Sequence, residues 1–130
     1  MITLDASMLI AHLQPRDPHH EAATTYLRGN ADQPLLMHSL NLAEVLLGGV
    51  RAGRGQELLD DLHAMGVGVA MQHDGEPLRL AALRVETGLK LPDCCALEAA
   101  LASESTLATF DERLAAAARS RHVKVGPAPA

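Results

Sequence analysis

The sequence predicts a three-layer α/β/α sandwich, in which a central, mainly parallel sheet of four to five strands is covered on both faces by helices. Two patterns point to it. Ala and Leu contribute 22 residues each, which favours helix along most of the chain. Short β-like runs interrupt that background at fairly regular intervals, and strands alternating with helices imply crossover connections and a parallel sheet.

Each element has its own local signal. "ITL" (2–4) reads as the first strand and "SMLIAHL" (7–13) as a short helix behind it. "PRDP" (15–18) breaks the chain, with Asp17 and Pro18 as cap and first-turn residues of a helix reaching about Arg28. "LLM" (35–37) follows a loop as strand two, and Ser39 is placed to cap a helix through about Arg51. A helix over about 55–64 precedes "VGVAM" (67–71), the third strand, and "HDGEP" (73–77) turns into a helix reaching about residue 87. "KLPD" (90–93) opens a long helix to about Glu104, "TLAT" (106–109) is strand four, "DERLAAAARSR" (111–121) a last helix, and "VKV" (123–125) a closing strand.

At 130 residues the chain is expected to be one domain over 1–126, with a frayed tail at 127–130. No apolar run approaches the roughly 20 residues of a membrane span, and the N-terminal apolar stretch is interrupted by Asp5 and lacks a basic lead. The expected location is the cytoplasm. Cys94 and Cys95 are the only cysteines; without C-x-x-C spacing they read as core thiols rather than zinc ligands. A net charge of −5 excludes a broad basic nucleic-acid surface, and Tyr26 and Phe110, the only aromatics besides histidine, look too few for a base-stacking platform. Action on nucleic acid would then require a small site built on metal ions.

Parallel sheets bind ligands beyond the carboxyl ends of their strands. Asp5 lies just past strand one and Asp111 just past strand four, so both carboxylates belong at one edge. Each also has an ordinary reading as a helix N-cap. Glu44, in "NLAEVLLGG", shares a narrow polar stripe with Asn41, Gly48 and Arg51, and pairing with Arg51 at i+7 would be too long for a good ion pair. Asp93, in "LPDCCALEAA", is again a capping candidate, pinned between Pro92 and a small, apolar helix. The seven histidines repeat at no ligand spacing and read as surface or satisfied groups. Arg51 and Arg54 could touch phosphate, but solvated charge is the simpler reading.

Taken together, "ITLDASMLI", "NLAEVLLG", "KLPDCCALEAA" and "LATFDERLA" resemble the four acidic motifs of a PIN domain, in order and at the right spacing, over nearly the whole chain. The similarity is strongest to bacterial VapC-type toxins. The resemblance implies a PIN-like version of the sandwich and a Mg²⁺-dependent endoribonuclease, with Mn²⁺ able to substitute. It assigns Asp5, Glu44, Asp93 and Asp111 to catalysis, with Asp5, Asp93 and Asp111 on the metal and Glu44 binding it through water or orienting a water. Ser7 and Thr109 match positions that hydrogen-bond the acids. A homodimer, an RNA substrate and a cognate antitoxin are also implied. Alternatives are a PIN nuclease of RNA processing, a PIN domain without catalysis, and a phospho-receiver-like regulatory module; the last has no place for Glu44 and Asp93.

Overall fold

The computed structural model describes residues 1–127. Its strands are β1 (Ile2–Leu4), β2 (Leu35–Met37), β3 (Val67–Val69), β4 (Thr106–Ala108) and β5 (Val125–Gly126). The helices are α1 (Ala6–Leu13), α2 (His20–Gly29), α3 (Ser39–Arg51), α4 (Gly55–Ala64), α5 (Glu76–Thr87), α6 (Leu91–Ser103) and α7 (Glu112–Ser120). The strands form one sheet in the order β3-β2-β1-β4-β5, with every pairing parallel. The expected α/β sandwich is therefore present, with a sheet that is wholly rather than mainly parallel.

Alternation along the strands divides the core into two. Ile2, Leu4, Leu35, Met37, Val67 and Ala108 share one face and pack with Met8, Leu9, Ala23, Val45 and Leu62 from α1 to α4. Leu107 faces the other way, with Leu83, Cys94, Leu97, Leu114 and Ala118 from α5 to α7. Cys94 through Ala100 are all buried, so α6 is the central helix of the second layer. Its small side chains let it lie close to the sheet. Truncating a fully buried leucine such as Leu97 should cost about 2–5 kcal/mol.

Four boundaries differ from the sequence reading, each for an identifiable reason. His38, not Ser39, caps α3: its Nδ1 accepts from the Leu40 N–H at 3.1 Å. That leaves Nε2 to donate to Glu76 Oε1 at 2.5 Å within a buried pair. The segment after Asp17 is a turn, because Asp17 Oδ1 accepts from the His19 N–H at 2.8 Å and the helix starts only at His20. Strand β3 stops at Val69, paired with Met37, where β2 gives way to α3; Met71 beyond it is 79% exposed. The closing strand is shifted to Val125–Gly126, because the chain leaves α7 through a left-handed His122 (φ 63°) before meeting β4. Gly126 is required there, since a Cβ would stand 2.7 Å from the Tyr26 ring. Of the tail expected to fray, residues 128–130 lie outside the described residues. Among the described residues no helix is long and apolar enough to cross a membrane.

Candidate active site

A helix that connects two parallel strands begins at their carboxyl edge. The geometry thus brings Asp5 (after β1), Asp111 (after β4), Asp93 (first turn of α6) and Glu44 (second turn of α3) to the same side of the sheet. Asp5, Asp93 and Asp111 also sit at helix N-termini, where partial positive charge favours a carboxylate.

Asp5 is the most firmly held. It is 4% exposed, and both oxygens are engaged. Oδ1 accepts from the Ser7 hydroxyl at 2.7 Å and from the Met8 N–H at 3.0 Å, while Oδ2 accepts from the Thr109 hydroxyl. Ser7 Oγ then accepts from the Phe110 N–H of the opposite loop at 3.3 Å, and Thr109 Oγ1 from the Asp111 N–H of its own loop at 3.0 Å. The β1 and β4 loops are therefore stitched together through Asp5. Asp111 is exposed, and its Oδ1 accepts from the Leu114 N–H at 2.9 Å. The ordinary capping readings of Asp5 and Asp111 are thus correct and compatible with a place in the site.

Asp93 differs. Lys90 occupies the N-cap of α6 without a side-chain capping bond, and Asp93 lies half-buried in the first turn. It is no cap. Burial raises its pKa above the usual carboxylate value, and the charges of Asp111, Asp5 and Glu44 raise it further, against a lowering by Lys90. Burial also raises Asp5, with a smaller contribution from Asp111, opposed by the bonds from Thr109, Ser7 and Met8. Asp93 thus feels the charges of the other three acids.

Asn41 joins α3 to α6 and was not singled out by the sequence reading. Its Nδ2 donates to the Pro92 carbonyl at 3.0 Å and to Glu44 Oε1 at 3.4 Å. One carboxamide therefore braces Glu44 and the residue before Asp93. Its Oδ1 is buried with no hydrogen-bond partner, and turning the amide over would set that oxygen against two acceptors. The only sequence signal was its position three residues before Glu44 on the same helical stripe. As the i+7 spacing implied, Glu44 and Arg51 are not paired among the described ion pairs. The histidines are surface or satisfied groups as expected: His12 Nδ1 meets Thr24 Oγ1 at 2.9 Å, His20 Nδ1 donates to the Ala11 carbonyl at 2.9 Å, His38 meets Glu76, and His19, His63, His73 and His122 are exposed.

Among the described residues no three His, Cys, Asp or Glu side chains converge as a ready-made cation cage. The donor set nevertheless fits a hard divalent cation. It consists of carboxylate oxygens, and Mg²⁺ commonly takes only one or two of these and keeps water and phosphate as its other ligands. The unpartnered Asn41 Oδ1 adds an acceptor for a bound water beside Glu44. Cys95 is a core thiol, its pKa pushed up to about 11 by burial and then by Glu76.

Comparison with known proteins agrees with the fold. Solved structures with the same fold include a toxin-antitoxin complex from Klebsiella pneumoniae, 23% identical over 89% of this chain and 91% of that one, TM-score 0.73. VapBC2 from Rickettsia felis, bound to a DNA fragment from its promoter, is 18% identical over 97% and 98%, TM-score 0.71. FitAcB from Neisseria gonorrhoeae is 17% identical over 96% of each chain, TM-score 0.63. No curated protein matches by sequence. The PIN-domain family model matches residues 2–120, and the chain belongs to the PIN domain family.

Proposed function

We propose that this protein is a Mg²⁺-dependent endoribonuclease, with Mn²⁺ able to substitute, acting as the toxin of a two-protein toxin–antitoxin pair. The observation that carries the reading is the placement of Asp5, Glu44, Asp93 and Asp111 on the carboxyl edge of one parallel sheet, with Asp5 bonded from both the β1 and the β4 loop. Two of the four carboxylates, Glu44 and Asp93, cap nothing and so have little structural purpose. They do have a chemical one.

The residues divide the work by how they are held. Asp5, Asp93 and Asp111 would hold the cation. Asp5 is the fixed ligand, because Ser7, Thr109 and Met8 leave its carboxylate little freedom. Asp93 is the half-buried member whose charge is least compensated. Glu44, braced by Asn41, would orient the attacking water and accept its proton. A cation held there would supply a water acidified toward neutral pH and positive charge against the developing phosphate oxyanion. Residues 1–126 would act as one catalytic domain.

The toxin assignment rests on two structural neighbours, a toxin-antitoxin complex and VapBC2. By that analogy an antitoxin would cover the site, the toxin would form a homodimer, and the protein would work in the cytoplasm. Purified protein tested on total RNA, with Mg²⁺ or Mn²⁺ against EDTA, checks the activity. Cleavage should require the metal. Chelator-resistant cutting that travels with the protein, or none with either ion, would overturn it.

A further inference from the structure

Beside the acids, the structure holds something the composition seemed to exclude. The rings of His19 and Phe110 are stacked, 4.4 Å between centroids and 9° from parallel. Phe110 lies between Thr109 and Asp111, and its N–H is bonded to Ser7 Oγ, so this pair is fastened to the network that holds Asp5. His19 is held by its own turn, through the Asp17 carboxylate on its N–H. The two rings line a cavity of about 380 Å³ that also includes Thr109, Asp111 and the exposed Arg119 of α7. That volume lies in the range of small-molecule sites.

His19 remains exposed although one face of its imidazole lies on Phe110, and it lines the cavity. An exposed ring gains little from such packing alone. We infer that the His19–Phe110 stack is a nucleobase platform, and that the cavity receives the nucleotide adjoining the scissile phosphate. Aromatic faces hold bases by stacking without needing a particular sequence, and Arg119 offers a planar cation to a phosphate or a base edge. Because the cavity shares Thr109 and Asp111 with the acidic site, a base seated there would set the register of the strand across Asp5, Asp93 and Glu44.

This inference rests on the ribonuclease reading, and its test separates the two. Binding of fluorescent oligoribonucleotides is measured by anisotropy with Ca²⁺ in place of Mg²⁺, for wild type, His19→Ala and Arg119→Ala; cleavage is measured separately with Mn²⁺. Both residues are exposed, so both variants should fold. His19→Ala should weaken binding about 5-fold or more, as loss of one stacked base predicts. It should raise KM by a similar factor with kcat changed less than about 3-fold. One abasic nucleotide should cost wild type the same factor and cost His19→Ala little more. If wild type binds with this His19 dependence yet cuts nothing with either metal, the nuclease reading fails and the base platform stands. If His19→Ala binds and cuts as wild type does, at unchanged positions, the platform is wrong. A defect confined to binding of a partner protein would assign the cavity to that partner instead.

Discussion

The Thr109 hydroxyl donates to Asp5 Oδ2 across 104 residues of chain while accepting from the Asp111 N–H at 3.0 Å. One side chain thus fixes two of the acids at once. Thr109→Val keeps the shape and removes the donor, leaving a buried carboxylate oxygen unpaired. The expected cost is about 1–3 kcal/mol in urea denaturation, with loss of metal-dependent cleavage. Thr109→Ser should restore most of both.

Asn41 gives a second test, because its role depends on which end of the amide carries hydrogen. Asn41→Asp places an acceptor against the Pro92 carbonyl and Glu44 Oε1, where the amide now donates. The expected result is a loss of about 1–3 kcal/mol in thermal or chemical unfolding. Cleavage kinetics should show kcat falling more than KM, since Glu44 would be displaced and the substrate contacts kept.

How much of this was legible in the sequence varies by residue. Asp5 and Asp111 fall on one edge because parallel strands dictate it, and local order along the chain sufficed to place them. Thr3 is buried along with Ile2 and Leu4, because β1 is the central strand and both its faces are covered. Asn41 was not legible as a brace, because its partner Pro92 is 51 residues away and only the packing of α3 against α6 brings the two together. His19 and Phe110 escaped for the same reason. Counting aromatics cannot reveal that a histidine from the α2 turn lies flat on a phenylalanine from the β4 loop. His38 displaced Ser39 as a cap through Glu76, again a tertiary partner.

The acids also predict the pH dependence of the metal-free protein. Asp5 and Asp93 both have folded-state pKa values raised above the ordinary 3.8, chiefly by burial. The folded protein therefore binds these protons more tightly than the unfolded chain does. Their contribution to stability is fully present below the unfolded value and is lost as pH rises through the folded values. Denaturation in EDTA across the range above pH 3.8 should show this loss superimposed on the remaining titrations. Asp93→Asn should remove part of it.

Exposed apolar residues bear on assembly. Leu78 and Val85, 78% and 85% exposed, lie on one face of α5, and Leu47 and Val50, 50% and 64% exposed, lie near the end of α3. Surfaces of this kind mark contacts between proteins. Light scattering at micromolar concentration should return twice the 13.8 kDa of one chain, and a monomer would count against the homodimer.

The central claim is that Asp93 is held among like charges for the sake of a metal ion, and Asp93→Asn tests it most directly. Removing one charge while keeping its shape relieves repulsion from Asp111, Asp5 and Glu44. At a half-buried position that relief is worth roughly 1 kcal/mol after solvent screening. Thermal melts with and without Mg²⁺, read beside an RNA cleavage assay, decide the matter. The variant should melt higher than wild type in EDTA, gain less from added Mg²⁺ and cut no RNA. A variant that melts lower in EDTA, gains as much from Mg²⁺ as wild type and still cuts RNA would contradict the account.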